Sequence, residues 1–426
     1  MNFPEEFLHF IWQFRLYQHQ NLRTTTGDLV EVLQQGSLNK HAGPDFSNAK
    51  LIISKTTWAG NIEVHLKSSD WFVHQHQYNE AYENVILHVV LEDDQPVYRK
   101  DGSLVPTVVL KGLFNEQLFD KYLAMVNSTN DFPCQQQIAT VDQFIIDGFL
   151  TRVVVKRLTE KSDSVYEKLN YLKGDWDETF YHFMAKNFGF KVNALPMEML
   201  AQSLPQSIFA KHKDQPFQIE ALLFGQAGFL NQTFEDDYPK QLKQEYLFLQ
   251  KKYSLKPIDV SLWKFMRMRP QNFPTLRLAQ FAGLIVASNH LFSKILSTRD
   301  YRNSAVLFEN LPVNSFWQTH YHFNKTANQV STQLGKKSID NLLINTLSLF
   351  LFAYGKAMKQ ENFVTRALHL LEHLTAEENA VIQQFVDAGV TVKSAFNSQA
   401  ILQLKKCYCN EKKCLTCGIG IKLLKQ

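Results

Sequence analysis

Three stretches decide the fold: His41-Ala42-Gly43-Pro44-Asp45-Phe46, Asn61-Ile62-Glu63-Val64-His65-Leu66-Lys67, and Val85-Ile86-Leu87-His88-Val89-Val90-Leu91. In a strand, alternate side chains share a face. The second stretch therefore turns Ile62, Val64 and Leu66 one way and Glu63, His65 and Lys67 the other. The third is apolar on both faces, which predicts a central strand covered on both sides. Gly43-Pro44 predicts a rigid turn that presents Asp45 at the start of a neighbouring strand.

Working outward, residues 1–18 carry a helical apolar face of Phe7, Leu8, Ile11, Trp12 and Phe14. Between about 26 and 111, short β-rich runs alternate with turn signals, including Asp101-Gly102 as a hairpin turn. After about 115 the pattern is helical nearly to the end, with Thr140…Gln143 and Thr375…Glu378 spaced as capping boxes. The expected class is α+β. It comprises a mixed-sheet domain over 1–130, an all-helical domain over 131–405 and a Cys-rich basic tail over 406–426.

The chain has 426 residues, 45% of them apolar, with 33 Phe, 15 Tyr and 6 Trp, enough for a sizeable aromatic core and too ordered a composition for a disordered chain. No apolar run approaches the ~20 residues of a membrane helix. Glu5 and Glu6 replace the basic start of a secretory signal. A cytoplasmic protein with no membrane association is the expectation. The formal charge is +4, and residues 405–426 carry six lysines and one glutamate, so the excess sits in the tail. Such a tail can contact phosphate or simply stay solvated.

Chemistry concentrates between 41 and 90. Glu63, His65 and Lys67 set a carboxylate, an imidazole and an ammonium in one row. Two carboxylates on adjacent strands, Asp45 and Glu63, can share Mg²⁺ or Mn²⁺, hard ions that want oxygen. Asp70, His74, His76 and His88 are secondary candidates. A solvated polar face is the plain alternative for Glu63 and Lys67, and a hydrogen-bonded core histidine is the plain alternative for His88.

Four of the five cysteines, Cys407, Cys409, Cys414 and Cys417, fall within eleven residues. The Cys414-x-x-Cys417 knuckle, closed by Cys407 or Cys409, suits zinc or an iron–sulfur cluster, and Cys134 can supply a distant ligand. Reduced structural thiols are the alternative. Arg267, Arg269 and Arg277 interleave with Phe265, Phe273, Pro270 and Pro274, a composition that can hold phosphate or form a structural joint. Asn341 and Asn345, four apart, read as an interhelical hydrogen-bonding pair.

The Pro44-Asp45 pair, followed after 17 residues by Glu63-x-His65-x-Lys67, resembles the PD-(D/E)xK nuclease superfamily. The resemblance implies metal-ligand roles for Asp45 and Glu63, and Glu6 corresponds best to that superfamily's acidic residue on the first helix. It departs where position 65 is His and the lysine comes at 67, which would make Lys67, helped by His65, the water-activating group. The Cys407-x6-Cys414-x2-Cys417 spacing resembles part of the cluster loop of endonuclease III-like DNA glycosylases, with Leu423 where the last cysteine would stand.

Gly43–Phe46 with Trp58–Trp71 and Asn84–Val90, then Arg267–Gln280, then Ser398–Gly420 together resemble a bacterial family of uncharacterised proteins, domain of unknown function 2851. That resemblance spans nearly the whole chain and implies no activity. The leading expectation is a divalent-metal nuclease acting on nucleic acid. The alternatives are a non-catalytic nucleic-acid or protein-binding scaffold with a metal-stapled tail, and a small-molecule metal hydrolase built on the histidines.

Overall fold

The computed structural model describes residues 3–288, 290–298 and 301–426, with no account of the Tyr301 and Arg302 side chains. It is α+β, with a curled mixed sheet near the N-terminus, a large helical region and cysteines near the C-terminus. The chain forms two compact units. The first comprises Met1–Phe149, Asp387–Val390 and Leu404–Gln426, and the second Leu150–Val386 and Thr391–Gln403.

In the first unit, helix α1 (Glu5–Gln13) precedes strands β1 (Val30–Gln34), β2 (Ser37–Leu38), β3 (Phe46–Ile53) and β4 (Thr56–Lys67). A short helix α2 (Asp70–Val73) leads through two single turns to β5 (Val85–Glu92) and then β6 (Thr107–Val109). The sheet order is β1-β3-β4-β5-β6, with β2 on the end of β3. The pairs β1–β3 and β3–β4 are antiparallel, whereas β4–β5 and β5–β6 are parallel. Parallel neighbours need a crossover, and α2 with its following turns supplies it between β4 and β5.

β5 is buried from Val85 to Val90, as its two-sided apolar sequence predicts. β4 is buried on both faces from Ile62 to His65, because α1 packs against it and the crossover lies beside it. Trp71, Tyr82, Val85, Val97 and Val105 make a local core beneath that crossover. The expected hairpin at 97–104 is reduced to one bridge between Tyr98 and Leu104, with Gly102 supplying the positive φ of its turn.

Gly60 marks the entry of β4 into the core. A Cβ there would lie 2.5 Å from Ile86 Cγ2 and 2.6 Å from the Asn84 carbonyl. Gly60→Ala is expected to destabilise the protein by about 1–3 kcal/mol through overpacking, read as a lower urea midpoint at unchanged slope.

The tail belongs to the first unit. Lys405 Nζ donates to the Asp131 carbonyl at 2.6 Å and to Asn410 Oδ1 at 2.7 Å. Tyr408 meets Phe149 edge to face at 5.5 Å, and Lys425 of the last helix, Gly418–Lys425, lies over Phe14.

The second unit is mostly helical, with a small hairpin of His320–His322 and Lys325–Thr326. Two capping expectations shift by a few residues. Asp142 rather than Thr140 accepts from the Phe144 N–H where the long helix Gln143–Tyr171 begins, and Asn379 accepts from the Ile382 N–H at the start of Ala380–Asp387. Thr375 instead bridges Ser394, and Glu378 pairs with Lys337. Asn345 lies in a π turn, takes a hydrogen bond from Lys161 Nζ and donates to the Asn341 carbonyl.

Candidate metal centre

The crossover brings together residues that are far apart in the chain. Glu63 and His65 point to the same face of β4, and the register sets Glu63 opposite His88 on β5. After α2, Gln75 adopts a left-handed backbone with φ of 58°, which turns the chain back so that His74 and His76 both reach that face.

Three imidazole nitrogens converge, with a carboxylate against two of them. His65 Nε2 lies 3.4 Å from Glu63 Oε1, and His76 Nε2 lies 3.2 Å from the same oxygen. His74 Nδ1 is 3.2 Å from His65 Nε2. One nitrogen from each of the three histidines falls within 4.8 Å of the other two. A tetrahedral ion with bonds of ~2.0–2.1 Å requires ligand atoms ~3.3–3.4 Å apart, so these three separations match edges of such a site, while Glu63 stands beside, not within, the set of three mutually close nitrogens. The His76 Nε2 atom is buried without an aligned hydrogen bond although Glu63 is beside it, which suits a lone pair aimed at a cation.

The partners around these atoms fit the same role. His65 Nδ1 is 2.9 Å from His88 Nε2. In the tautomer in which His65 Nδ1–H donates to His88, His65 Nε2 carries the free lone pair, and His88 gives the outer-shell support that metal-bound imidazoles use. Trp71 and Tyr82 wall the site, with Tyr82 stacked on His76 at 3.8 Å between ring centres.

Asp45 and Glu63 are also adjacent. The Asp45 N–H donates to Glu63 Oε2 at 3.0 Å, and Asp45 Oδ2 accepts from the Val64 N–H at 3.0 Å. On the far side of Asp45, α1 contributes His9, whose Nε2 is 3.2 Å from Asp45 Oδ2, and Glu5 one turn earlier. Glu5, His9 and Asp45 form a second group with ligand atoms within 4.8 Å.

The electrostatics of the empty cluster are unfavourable in the way a bound cation would relieve. Burial first, then the Asp45 charge, pushes Glu63 up to about 8. Burial, followed by repulsion from His88 and His76, drives His65 down to about 2. Burial and His76 take His88 to about 3. His65 and His88 are therefore neutral near pH 7, and burial lowers His76 as well, which favours the metal-binding form.

The remaining expected residues lie elsewhere. Lys67 is exposed at the end of β4, and its backbone N–H donates to Asp70 Oδ2, so Asp70 serves as a cap to the turn. Glu6 is exposed, and Glu5 takes the position on α1 that faces Asp45. Glu5 and His9 escaped the sequence reading, although their four-residue spacing puts them on one edge of the apolar helix face. Arg267 and Arg269 are exposed on the second unit. Arg277 is buried there, stacked on Phe190 and bonded to Gln280, Asn272 and Ser338, so its guanidinium is committed to the core. None of the five cysteines forms a disulfide.

A family model described as protein of unknown function (DUF2851) matches residues 5–380. No curated protein and no solved structure matches the chain. No helix among the described residues is long and apolar enough to cross a membrane.

Proposed function

We propose that this chain, which belongs to the DUF2851 family of proteins of unknown function, is a metal-dependent phosphodiester hydrolase, a nuclease whose first metal is held by Glu63, His65, His74 and His76. The observation that carries this reading is the gathering of one nitrogen each from His65, His74 and His76 within 4.8 Å of one another, with the Glu63 carboxylate against His65 and His76. Three nitrogens and one oxygen favour zinc or a similar transition ion over Mg²⁺, which prefers oxygen. Glu5, His9 and Asp45 form the neighbouring group, able to hold a second ion or to handle the proton of an attacking water.

Support for phosphodiester chemistry comes from the topology. A helix, three antiparallel strands, a crossover and a parallel strand put Asp45 at the mouth of β3 and Glu63 within β4, the order expected of the PD-(D/E)xK arrangement. His65 occupies the place of that motif's lysine and becomes a ligand. The lysines of the tail, in the same unit, would meet phosphate. Clustered thiols without disulfides suit a reducing cytoplasm.

A second reading, hydrolysis of a small molecule at the same metal, is favoured by the depth of the site. Glu63 and His65 are buried, and of the four ligands only His74 is exposed.

The test is incubation of the full chain with supercoiled DNA, single-stranded DNA and RNA in Zn²⁺, Mn²⁺ or Mg²⁺, beside folded Glu63→Ala. Cleavage that needs metal and disappears in Glu63→Ala is the expected result. Absence of cleavage by metal-loaded protein, with turnover of a small phosphodiester, would transfer the site to the second reading. A loaded protein inert towards both would leave the cluster a structural staple.

A further inference from the structure

The tail carries a second centre, independent of the histidine site. Cys134 lies in a tight turn, where its carbonyl accepts from the Gln137 and Ile138 N–H groups. Lys405 ties that turn to the tail by reaching the Asp131 carbonyl and Asn410 together. The tail then folds through a π turn at Lys405–Cys409 and a left-handed residue at Lys412, φ 51°, into the Cys414–Cys417 knuckle, which the Cys417 N–H closes onto the Cys414 carbonyl. Gly420 of the last helix presses against the Cys414 carbonyl so closely that a Cβ would collide with it.

Cys134 and three cysteines of the tail, Cys409, Cys414 and Cys417, come within electrostatic reach of one another here. Cys134 is within electrostatic reach of Cys417 and Cys414. Cys409 is within reach of Cys417, Cys134 and Cys414, and Cys414 of Cys417. Cys134, Cys414 and Cys417 are buried. Cys407, which the spacing alone would include, is not among the neighbours of Cys134, Cys409 or Cys414.

The separation of the sulfurs decides between metals. A single zinc with bonds of ~2.3 Å holds its thiolates ~3.8 Å apart. Among the described residues, no three cysteine sulfurs come within 4.8 Å of one another. No sulfur set is therefore as compact as a single zinc would hold, and a four-cysteine cluster of several irons is a ligand of greater span.

We propose that Cys134, Cys409, Cys414 and Cys417 hold an iron–sulfur cluster, with Cys407 outside the ligand set. The cluster clasps the tail to the turn that precedes the long helix Gln143–Tyr171.

The test is anaerobic purification of the full chain, reconstitution with ferrous iron and sulfide, and measurement of iron, acid-labile sulfide and zinc. About four irons and four sulfides per chain are expected, with brown colour. Cys134→Ser should lose at least nine-tenths of both, whereas Cys407→Ser keeps them. Stoichiometric zinc without sulfide, or no metal after reconstitution, would overturn the assignment. So would a cluster lost in Cys407→Ser and kept in Cys134→Ser. Because Cys134→Ser could unfold the chain, the loaded wild type is also alkylated and mapped residue by residue. Cys407 should label at least tenfold faster than Cys409, which is partly exposed in the fold as Cys407 is, and that difference should vanish when the cluster is stripped. Equal labelling of Cys409 and Cys407 in loaded protein would sink the proposal by itself.

Discussion

His76→Ala is expected to weaken binding of the first metal at least ~100-fold, while Lys67→Ala changes it less than about twofold. Loss of a residue that merely supports a ligand already costs ~10–100-fold, and His76 offers a ligand atom directly, with Nε2 3.2 Å from Glu63 Oε1. Lys67 stands exposed at the end of β4 and contributes only its backbone N–H to the local structure. The two variants therefore separate the arrangement seen here from the one the motif implies, in which the lysine after the acidic residue belongs to the site. Zinc competition against a chromophoric chelator, on protein whose tail cysteines have been blocked, provides the measurement. Equal affinities for the two variants would dissociate His76 from the metal and return the crossover histidines to structural duty. His88→Ala is the informative intermediate case. Its Nε2 touches His65 but no metal-facing atom of the cluster, so its loss should fall within the ~10–100-fold range of a supporting partner.

Those contrasts mirror what the sequence made legible. The alternation of Glu63, His65 and Lys67 identified the strand, and the two-sided apolar run at 85–91 identified its central neighbour, because both signals are periodic and local. Gly43-Pro44 before Asp45 marked the turn that sets Asp45 beside Glu63. Strand periodicity could not say where the row leaves the core. The burial of β4 ends after His65, so Lys67 shares the direction of Glu63 without sharing its environment. His74 and His76 were visible as residues, but their arrival on the β4 face depends on one left-handed backbone at Gln75, a residue type that does not announce it. Glu5 and His9 become partners of Asp45 only through the packing of α1 on β4, a long-range contact. Cys134 joins the tail for the same reason, across 275 positions. Arg277 shows the reverse case, since composition pointed to phosphate and packing turned the side chain inward.

In metal-free protein, stability should peak near pH 6.5 and fall on both sides, and Glu63→Gln should shrink the alkaline decline and steepen the rise between pH 4.5 and 6.5. The acid side comes from His65 and His88, whose folded values of about 2 and about 3 lie below the unfolded 6.5. Their contribution is complete above pH 6.5 and is lost as pH falls, because unfolding then takes up two protons. That is a slope of about 2.7 kcal/mol per pH unit. His76, lowered by burial, steepens this limb. His9 opposes it, since the Asp45 carboxylate outweighs burial and leaves it raised. Glu63 has the opposite sign. Its folded value of about 8 exceeds the unfolded 4.5, so its contribution is complete below pH 4.5 and is lost as pH rises towards 8, at about 1.4 kcal/mol per unit. Between 4.5 and 6.5 the histidines win and stability still rises with pH. From 6.5 to 8 Glu63 continues to titrate, and stability falls. Glu220, raised by burial to about 7, and the raised His9 act in the same sense. Urea unfolding of chelated protein at pH 5, 6.5 and 8 reads the three regimes. A bound divalent ion should remove the Glu63 part of the alkaline limb, because it holds Glu63 ionised in the folded as in the unfolded protein. Stability of loaded protein then falls less from pH 6.5 to 8 than that of stripped protein. If the two profiles run parallel, the ion is not bound at Glu63, whatever its stoichiometry.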